Sequence, residues 1–207
     1  MRSDLKTLID RIPVRQADTS PISVAEPRPR GYESATIDQV PVSQRAKIRE
    51  ACKSGRWPLL LTGTVGTGKT CAAACVYGSF AHLPMWYRAD DLLISMSLGR
   101  SGTVRAETLN EFGEVVTTEL PYSKFVGRVA NRSAVFLDDL GTRQPTESTY
   151  QALFDLLEWR KGRPLIITSN KRLSELAGIY DDRIADRLKV GTVVAFSGDS
   201  RRQKGQS

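Results

Sequence analysis

Histidine and cysteine are scarce in this sequence of 207 residues, which holds one histidine and three cysteines. Cys71 and Cys75 lie four residues apart on one predicted helical face and could ligate a metal, but a single histidine, His82, leaves too few partners to complete a zinc site. We therefore expect these cysteines to pack as small buried hydrophobic residues. Their odd number also argues against a disulfide framework, and we expect reduced thiols.

Long apolar runs are also missing, and no run approaches the roughly 20 residues that span a bilayer. The opening residues, Met1-Arg2-Ser3-Asp4, do not begin a charged-then-apolar signal sequence. We therefore expect a cytoplasmic protein without a membrane partner. Its formal net charge of +7 favours polyanionic partners, although an excess of this size is common on ordinary protein surfaces.

The most informative stretch is a phosphate-binding loop between an apolar strand, Pro58 to Thr62, and an alanine-rich helix that begins near Cys71. A glycine, four residues and then Gly-Lys-Thr form the P-loop pattern, and the flanking strand and helix are its usual context. The backbone N–H groups of such a loop cradle a polyphosphate, the lysine reaches the β and γ phosphates, and the threonine hydroxyl ligates Mg²⁺. The predicted binding residues for ATP are Gly63, Thr64, Val65, Gly66, Thr67, Gly68, Lys69 and Thr70.

Two further buried strands end on polar residues. The strand 134–137 ends on Asp138 and Asp139, and Pro164 to Thr168 is followed by Ser169-Asn170. In a P-loop enzyme a carboxylate opposite the loop holds Mg²⁺, which suits Asp138 together with Thr70. Asp139 is then the candidate to orient or deprotonate the attacking water, and Asn170 could position the same water. A helix cap remains the alternative for Asn170.

The chain reads as two parts. Residues 1–35 hold a short helix with an apolar stripe (Leu5, Leu8, Ile9, Ile12) and a proline-rich linker, which could dock on a partner or fold back on the domain. Residues 36–207 hold five apolar strands that alternate with helices, the pattern of an α/β fold with a five-stranded parallel sheet flanked by helices. Within this second part, we expect a helix whose residues Leu92, Leu93, Ile94 and Met96 face the core. We expect a further helix that contains Leu109, Phe112, Val115 and Val116.

The P-loop, the segments Val135–Gly141 and Ile166–Asn170, the helix Asp182–Leu188 and the tail Gly198–Arg202 resemble DnaC/IstB-type AAA+ ATPases over about Thr36 to Arg202. That family contains helicase loaders and transposition helper ATPases. The resemblance implies a P-loop NTPase fold of the AAA+ ASCE type, with the Asn170 strand between the P-loop strand and the Asp138 strand. It also implies Walker A at Lys69 and Thr70, Walker B at Asp138 and Asp139, and sensor 1 at Asn170.

By the same resemblance, Arg187 corresponds to an arginine finger that reaches the ATP of a neighbouring subunit, which implies a homo-oligomer. Arg202 corresponds to the sensor 2 arginine, with Arg201 as the alternative. The alternative for Arg187 is an ion pair with the acidic residues of its own helix. The implied function is an ATPase that acts on DNA, most simply a replicative helicase loader that binds single-stranded DNA.

The resemblance also implies that DNA-binding elements lie between the P-loop helix and the Asp138 strand, so the candidate DNA contacts are basic residues of that region, with Tyr122 or Phe125 as a stacking surface. These residues are Arg88, Arg100, Arg105, Lys124, Arg128 and Arg132. Other functions stay open: an IstB-like transposition helper, an ATP-dependent adaptor that docks through its N-terminal helix on a helicase or transposase, or a small-metabolite kinase.

Overall fold

The computed structural model describes residues 31–80, 84–100, 102–109 and 115–198, and within the strands 103–109 and 115–118 it describes the backbone only. The predicted N-terminal helix and linker before Gly31, Phe112 and the tail arginines Arg201 and Arg202 lie outside these residues. The described strands are β1 Leu59–Gly63, β2 Met85–Arg88, β3 Thr103–Leu109, β4 Val115–Pro121, β5 Val135–Asp138, β6 Leu165–Ser169 and β7 Thr192–Phe196. The described α-helices are α1 Val42–Ser54, α2 Lys69–Tyr77, α3 Ala89–Gly99, α4 Tyr122–Asn131, α5 Glu147–Trp159, α6 Leu173–Ile179 and α7 Asp182–Lys189.

Five strands form a parallel sheet in the order β2-β5-β6-β1-β7. The β6 strand, which precedes Asn170, lies between β1 and β5, so the strand order expected from the resemblance is confirmed. The carboxyl ends of β1, β5 and β6 consequently meet at one edge of the sheet, where open α/β sheets bind their ligands.

Both faces of the sheet are covered, because side chains of successive strand residues point to opposite sides. Leu59 and Leu61 belong to one apolar cluster with the buried faces of α1 and α2. Leu60 belongs to the other cluster, with residues of α3, α4 and α5. These β1 leucines are completely buried, which anchors the strand that leads into the P-loop.

Leu109, Val115 and Val116 were expected to lie in a helix, but they lie in the antiparallel strands β3 and β4, so for these residues that prediction is wrong. The β-branched residues Val115, Val116, Thr117 and Thr118 favour an extended conformation, and the helical spacing of the apolar residues was coincidental.

Ile94 was expected to face inward, but its side chain is exposed. In the helix α3 it lies opposite Leu92 and Met96, which are buried.

The folded region extends upstream of Thr36, where the sequence placed the domain boundary. Ala35 is buried in the same cluster as α1 and α2, and Tyr32 packs against that cluster. A short 3-10 turn at Ile37–Gln39 follows and leads to α1. This N-terminal segment therefore covers one side of the P-loop.

Candidate nucleotide-binding site

The loop between β1 and α2 has the backbone conformation that a phosphate cradle requires. Gly63, Gly66 and Gly68 all have positive φ, a region that glycine enters without steric cost. Gly63 is further constrained because a Cβ there would lie 2.1 Å from the carbonyl oxygen of Phe196 on β7. The loop closes directly onto the first turn of α2, whose N–H groups and positive dipole end favour an anion.

Lys69 lies within this loop rather than extending into solvent. Its Nζ donates a hydrogen bond to the carbonyl oxygen of Thr64 at 2.8 Å, and the hydroxyl of Thr67 donates to the same oxygen at 2.8 Å. Both side chains are buried. The ammonium is therefore held beside the N-terminus of α2, where a terminal phosphate would bring a negative charge.

Asp138 ends β5 and meets the P-loop threonine. Its Oδ1 accepts hydrogen bonds from Thr70 Oγ1 at 3.1 Å and from Thr168 Oγ1 at 2.5 Å. Burial raises the pKa of Asp138, and the adjacent charge of Asp139 raises it further, against the lowering effect of the two hydroxyls and Lys69. A carboxylate held at this cost of desolvation would gain from a nearby divalent cation.

These donors fit Mg²⁺, which prefers oxygen ligands and keeps several waters, so that one or two protein groups and the phosphates complete its shell. Thr70 and Asp138 supply such oxygens from two elements at hydrogen-bonding distance. Among the residues whose side chains are described, no group of three or more His, Cys, Asp and Glu could hold a metal ion. A cage made of protein ligands alone is thus absent from that part of the chain.

Asp139 has a strained backbone. It is the only non-glycine residue in the described ranges with positive φ, at 61°. Its N–H donates to Thr168 Oγ1 at 2.9 Å, and its Oδ1 accepts a hydrogen bond from Asn170 Nδ2 at 3.5 Å. Such strain often occurs at functional sites, and here it turns the side chain toward Asn170 and the P-loop pocket.

Thr168 was not singled out for a role by the sequence analysis, yet its hydroxyl joins both carboxylate residues. It donates to the Asp138 carboxylate and accepts from the Asp139 N–H. Ser169 acts alongside it, since its hydroxyl donates to the Leu140 carbonyl at 2.6 Å. Both side chains are buried, and a buried hydroxyl needs a hydrogen-bond partner. The sequence does not show this burial, so it gave no signal for either role.

A pocket of about 500 Å³ opens in front of the P-loop. Lys69, Thr70, Asp139 and Asn170 line one side of it. The N-terminal segment, which the sequence analysis did not assign to the site, supplies the other side together with Cys71, through Gly31, Tyr32, Ser34, Ala35 and Gln39. Gln39 is held in place because its Oε1 accepts hydrogen bonds from the Thr36 N–H at 3.0 Å and from Cys71 Sγ at 3.4 Å. The lining residues of the N-terminal segment form one wall of the pocket.

Arg187 is not among the residues that line this pocket. Its Nε donates to Glu158 Oε1 at 2.5 Å, its Nη1 donates to the Arg183 carbonyl at 3.0 Å, and its guanidinium lies 4.0 Å from the centre of the Phe154 ring. Arg183 pairs with Asp181 at 2.8 Å. The ion pair of Arg187 with Glu158 therefore differs from the alternative considered for it, which used the acidic residues within α7.

The structure does not gather the candidate DNA contacts into one patch. Arg100 forms an ion pair with Asp155. Arg88 is the last residue of β2 and lies at the carboxyl ends of the strands, and the Arg105 side chain is not described. Lys124, Arg128 and Arg132 follow one another at four-residue spacing along and just beyond α4, so they share a face. Phe125 is buried and is therefore not a stacking surface.

No described helix is long and apolar enough to cross a membrane.

Comparison with known proteins gives structural matches alone, since no family model and no curated protein matches the chain. The structure resembles the crystal structure of the DnaC helicase loader at 16% identity and a TM-score of 0.61, covering 82% of this chain and 100% of that chain. It resembles the crystal structure of DnaI at 19% identity and a TM-score of 0.59, covering 84% and 94%.

A third match is the replication initiator DnaA bound to AMPPCP and single-stranded DNA, at 19% identity and a TM-score of 0.63. It covers 88% of this chain and 56% of that chain, so this chain spans little more than half of that DnaA. Likeness at this level of identity establishes the fold. The chain therefore has the P-loop fold of the DnaC, DnaI and DnaA AAA+ proteins, with a five-stranded parallel sheet flanked by helices.

Proposed function

We propose that this protein binds and hydrolyses ATP and acts on DNA, most simply as a helicase loader of the DnaC kind that binds single-stranded DNA. The observation that carries the proposal is the convergence of Lys69, Thr70, Asp138, Asp139 and Asn170 on one edge of the sheet. These residues come from three strand ends that are far apart in the sequence. Packing of an apolar core does not explain why these polar residues lie together at one edge of the sheet.

Each residue has a separate task in this proposal. The P-loop N–H groups and Lys69 bind the β and γ phosphates, and Thr70 and Asp138 hold Mg²⁺. Bound Mg²⁺ would neutralise charge on the phosphate oxygens. Asp139 accepts a hydrogen bond from the attacking water and receives its proton, and Asn170 orients the Asp139 carboxylate through the contact between their side chains.

A second subunit completes the site in this proposal. Lys69 is the only cation among the described residues that line the pocket, and Asp138 and Asp139 lie beside it. Further positive charge would therefore have to come from outside these residues when a triphosphate is bound. Arg187 of a neighbouring copy and Arg202 of the same chain are the proposed sources, because a guanidinium is permanently charged and binds phosphate oxygens with two N–H groups.

The action on DNA is supported by the neighbours, since one of the DnaA structures contains single-stranded DNA, and by the net charge of +7. An IstB-like transposition helper would use the same nucleotide site. An adaptor that hydrolyses little would use it as well, and would dock on a helicase or transposase through residues 1–35.

The test is sedimentation velocity of the purified chain with a labelled single-stranded oligonucleotide, with either a non-hydrolysable ATP analogue or ADP. We expect fast-sedimenting assemblies that contain the oligonucleotide with the analogue only. Lys69→Ala is the control, and we expect it to stay small and free of DNA because the cation of the P-loop is gone. A wild-type chain that ignores the oligonucleotide in both nucleotide states would contradict the action on DNA.

A further inference from the structure

The edge of the sheet opposite the nucleotide site carries an unusual concentration of positive charge. Four neighbouring strands, in the order β5-β6-β1-β7, begin at this edge because all of them run parallel. The segments that lead into them are 132–134, 160–164, 53–58 and 189–191, and these contain no Asp or Glu. We call the cations that they present the basic edge: Lys53, Arg56, Arg132, Lys161, Arg163 and Lys189.

These cations are accessible, and none of them forms an ion pair with a carboxylate among the residues whose side chains the structure describes. Lys53, Arg56, Lys161 and Lys189 are exposed, and Arg132 and Arg163 are half-buried. The ion pairs among the residues whose side chains are described use other groups. The nearest acids along the helices are Glu50, Glu158 and Asp186, of which Glu158 is bound to Arg187.

A buried arginine holds part of the basic edge together. Arg160 is 1% exposed, and its guanidinium donates to the carbonyl oxygens of Ala130 at 3.1 Å, Arg132 at 2.8 Å and Pro164 at 2.5 Å. Arg163 also donates to Ala130. These bonds tie the end of α4 to the start of β6, which brings Arg132 and Arg163 side by side. Burial, with a contribution from the nearby Arg163 charge, lowers the pKa of Arg160 to about 9.

The geometry suits an extended polyanion. Neighbouring strands lie about 4.8 Å apart, so four strands spread these cations over about 14 Å. A DNA strand presents a phosphate about every 3.4 Å along a duplex axis, so this length faces about four phosphates. Holding like charges together costs free energy in the absence of an anion. Arg132 also continues the face of α4 that carries Lys124 and Arg128, which lengthens the positive surface.

We propose that the basic edge binds the phosphate backbone of nucleic acid, at the end of the sheet away from the nucleotide. This inference rests on the proposed action on DNA and names the surface that performs it. Nucleic acid is favoured over a membrane because Val190 is the only large hydrophobic side chain of these four segments that is exposed, whereas surface-binding elements insert an apolar face. Side chains that contact phosphates carry no base information, so binding is independent of sequence.

The two ligands can bind together. The strands β5 and β1 have four and five residues, so the basic edge lies about 13 to 16 Å from the ends that carry Asp138 and the P-loop. Removing charge from the basic edge should therefore leave the affinity for nucleotide unchanged.

The experiment compares two triple variants with the same net charge. The edge variant is Arg56→Gln, Lys161→Gln and Lys189→Gln. The control variant is Lys47→Gln, Arg143→Gln and Arg172→Gln, which removes three exposed cations outside the basic edge. Arg160 and Arg163 are left intact because they bind backbone carbonyls. Fluorescence anisotropy with labelled oligo-dT is measured over a salt series with the ATP analogue, and a fluorescent nucleotide reports folding and nucleotide binding.

We expect the edge variant to lose about tenfold or more in affinity for oligo-dT at low salt. Its log-log salt slope should fall by about 2, since each phosphate contact with a single strand contributes about 0.7. The control variant should keep the wild-type slope and stay within about twofold in affinity. Equal weakening of both variants, or wild-type affinity in the edge variant, would overturn the inference while leaving the action on DNA intact.

Two more arms separate the sources of phosphate. The same variants are titrated with a duplex of mixed sequence and with vesicles that contain phosphatidylserine. Loss of affinity for either form of DNA in the edge variant alone supports the inference. Binding to vesicles without binding to DNA overturns it, and a wild-type chain that binds no nucleic acid in any nucleotide state refutes the proposed action on DNA itself.

Discussion

At the scale of single residues, the backbone of Asp139 offers a test that separates chemistry from folding. Its φ of 61° lies in the left-handed region, where Asn and Asp are tolerated and other side chains are strained by about 1 to 2 kcal/mol. Asn170 donates a hydrogen bond to its carboxylate, and the Thr168 hydroxyl accepts a hydrogen bond from its N–H. The residue type is therefore constrained by conformation as well as by the proposed role.

We expect Asp139→Asn and Asp139→Ala to lose ATP hydrolysis equally, because each removes the carboxylate that would take the proton of water. The alanine variant should also unfold more easily by about 1 kcal/mol than the asparagine variant, because alanine is strained at positive φ. Steady-state hydrolysis and urea unfolding measure the two effects. Wild-type hydrolysis in Asp139→Asn would exclude Asp139 as the base.

Asp138 allows a prediction about pH. Burial raises its pKa above the ordinary value of 3.8, so the folded chain holds this proton more tightly than the unfolded chain does. The ionised carboxylate therefore lowers the stability of the nucleotide-free protein as the pH rises from about 4 through the raised pKa. Above that pKa the carboxylate is ionised in both the folded and the unfolded chain, and the full loss of stability is present.

Asp138→Asn removes this cost while it keeps an oxygen that can accept from Thr70 and Thr168. At pH 7, without nucleotide, we expect the variant to be at least as stable as the wild type, and the difference between them should shrink as the pH falls toward 4. Urea unfolding at both pH values measures this. A difference that does not change with pH would show that ionisation of Asp138 is not its cause. In the same variant, Mg²⁺-dependent nucleotide binding should be weakened.

At the scale of elements, α5 and α7 meet through Glu158 and Arg187, and the pair makes it possible to distinguish a structural arginine from one that acts on a neighbour. The two side chains are 41% and 31% exposed, so the ion pair contributes at most about 1 kcal/mol to stability. Phe154 supports the Arg187 guanidinium from one side. The arginine is thus held in place by contacts within its own chain.

Glu158→Gln and Arg187→Ala break the same ion pair, but they should differ in activity. If Arg187 reaches the nucleotide of a second copy, Arg187→Ala should abolish DNA-stimulated hydrolysis and keep nucleotide binding, whereas Glu158→Gln should retain hydrolysis within about threefold, since it leaves the cation in place. Hydrolysis assays with matched thermal melts measure this. Equal losses in the two variants would mean that Arg187 has a structural role.

At the scale of the whole molecule, the segment before α1 forms part of the pocket in front of the P-loop. Tyr32, Ala35 and Gln39 line the pocket, and Ala35 is buried in the core. A truncation that begins at Gly31 should therefore keep the nucleotide affinity of the full chain. A truncation that begins at Val40 removes this wall and should weaken nucleotide binding about tenfold or more.

The same truncations test the adaptor alternative. Docking through Leu5, Leu8, Ile9 and Ile12 predicts that a chain beginning at Gly31 binds nucleotide but no longer binds its helicase or transposase. Nucleotide titration and co-sedimentation with the candidate partner measure the two properties. Partner binding that survives removal of residues 1–30 would contradict the adaptor role of this segment.

The sequence by itself was enough to predict the local motifs of this protein. The P-loop from Gly63 to Thr70 is a contiguous loop whose glycines and lysine carry their conformation and charge with them, so its pattern predicts both its geometry and its ligand. Runs of apolar residues that end on Asp138 and Asn170 predicted the parallel strands in the same way. The strand order was available only through the resemblance to AAA+ ATPases, since periodicity does not specify which strands are neighbours.

Features that combine residues from distant positions of the chain could be recognised only in the tertiary structure. Thr168 connects the Asp138 carboxylate to the Asp139 backbone through hydrogen bonds. Tyr32 and Gln39 line the pocket in front of the P-loop. Val115 pairs with Leu109 in antiparallel strands, although the spacing of nearby apolar residues suggested a helix. The basic edge is of the same kind, since its cations come from four segments that become neighbours only through the order of the strands. Hydrogen bonds, burial and summed charge depend on distance in space, and a linear pattern records distance along the chain.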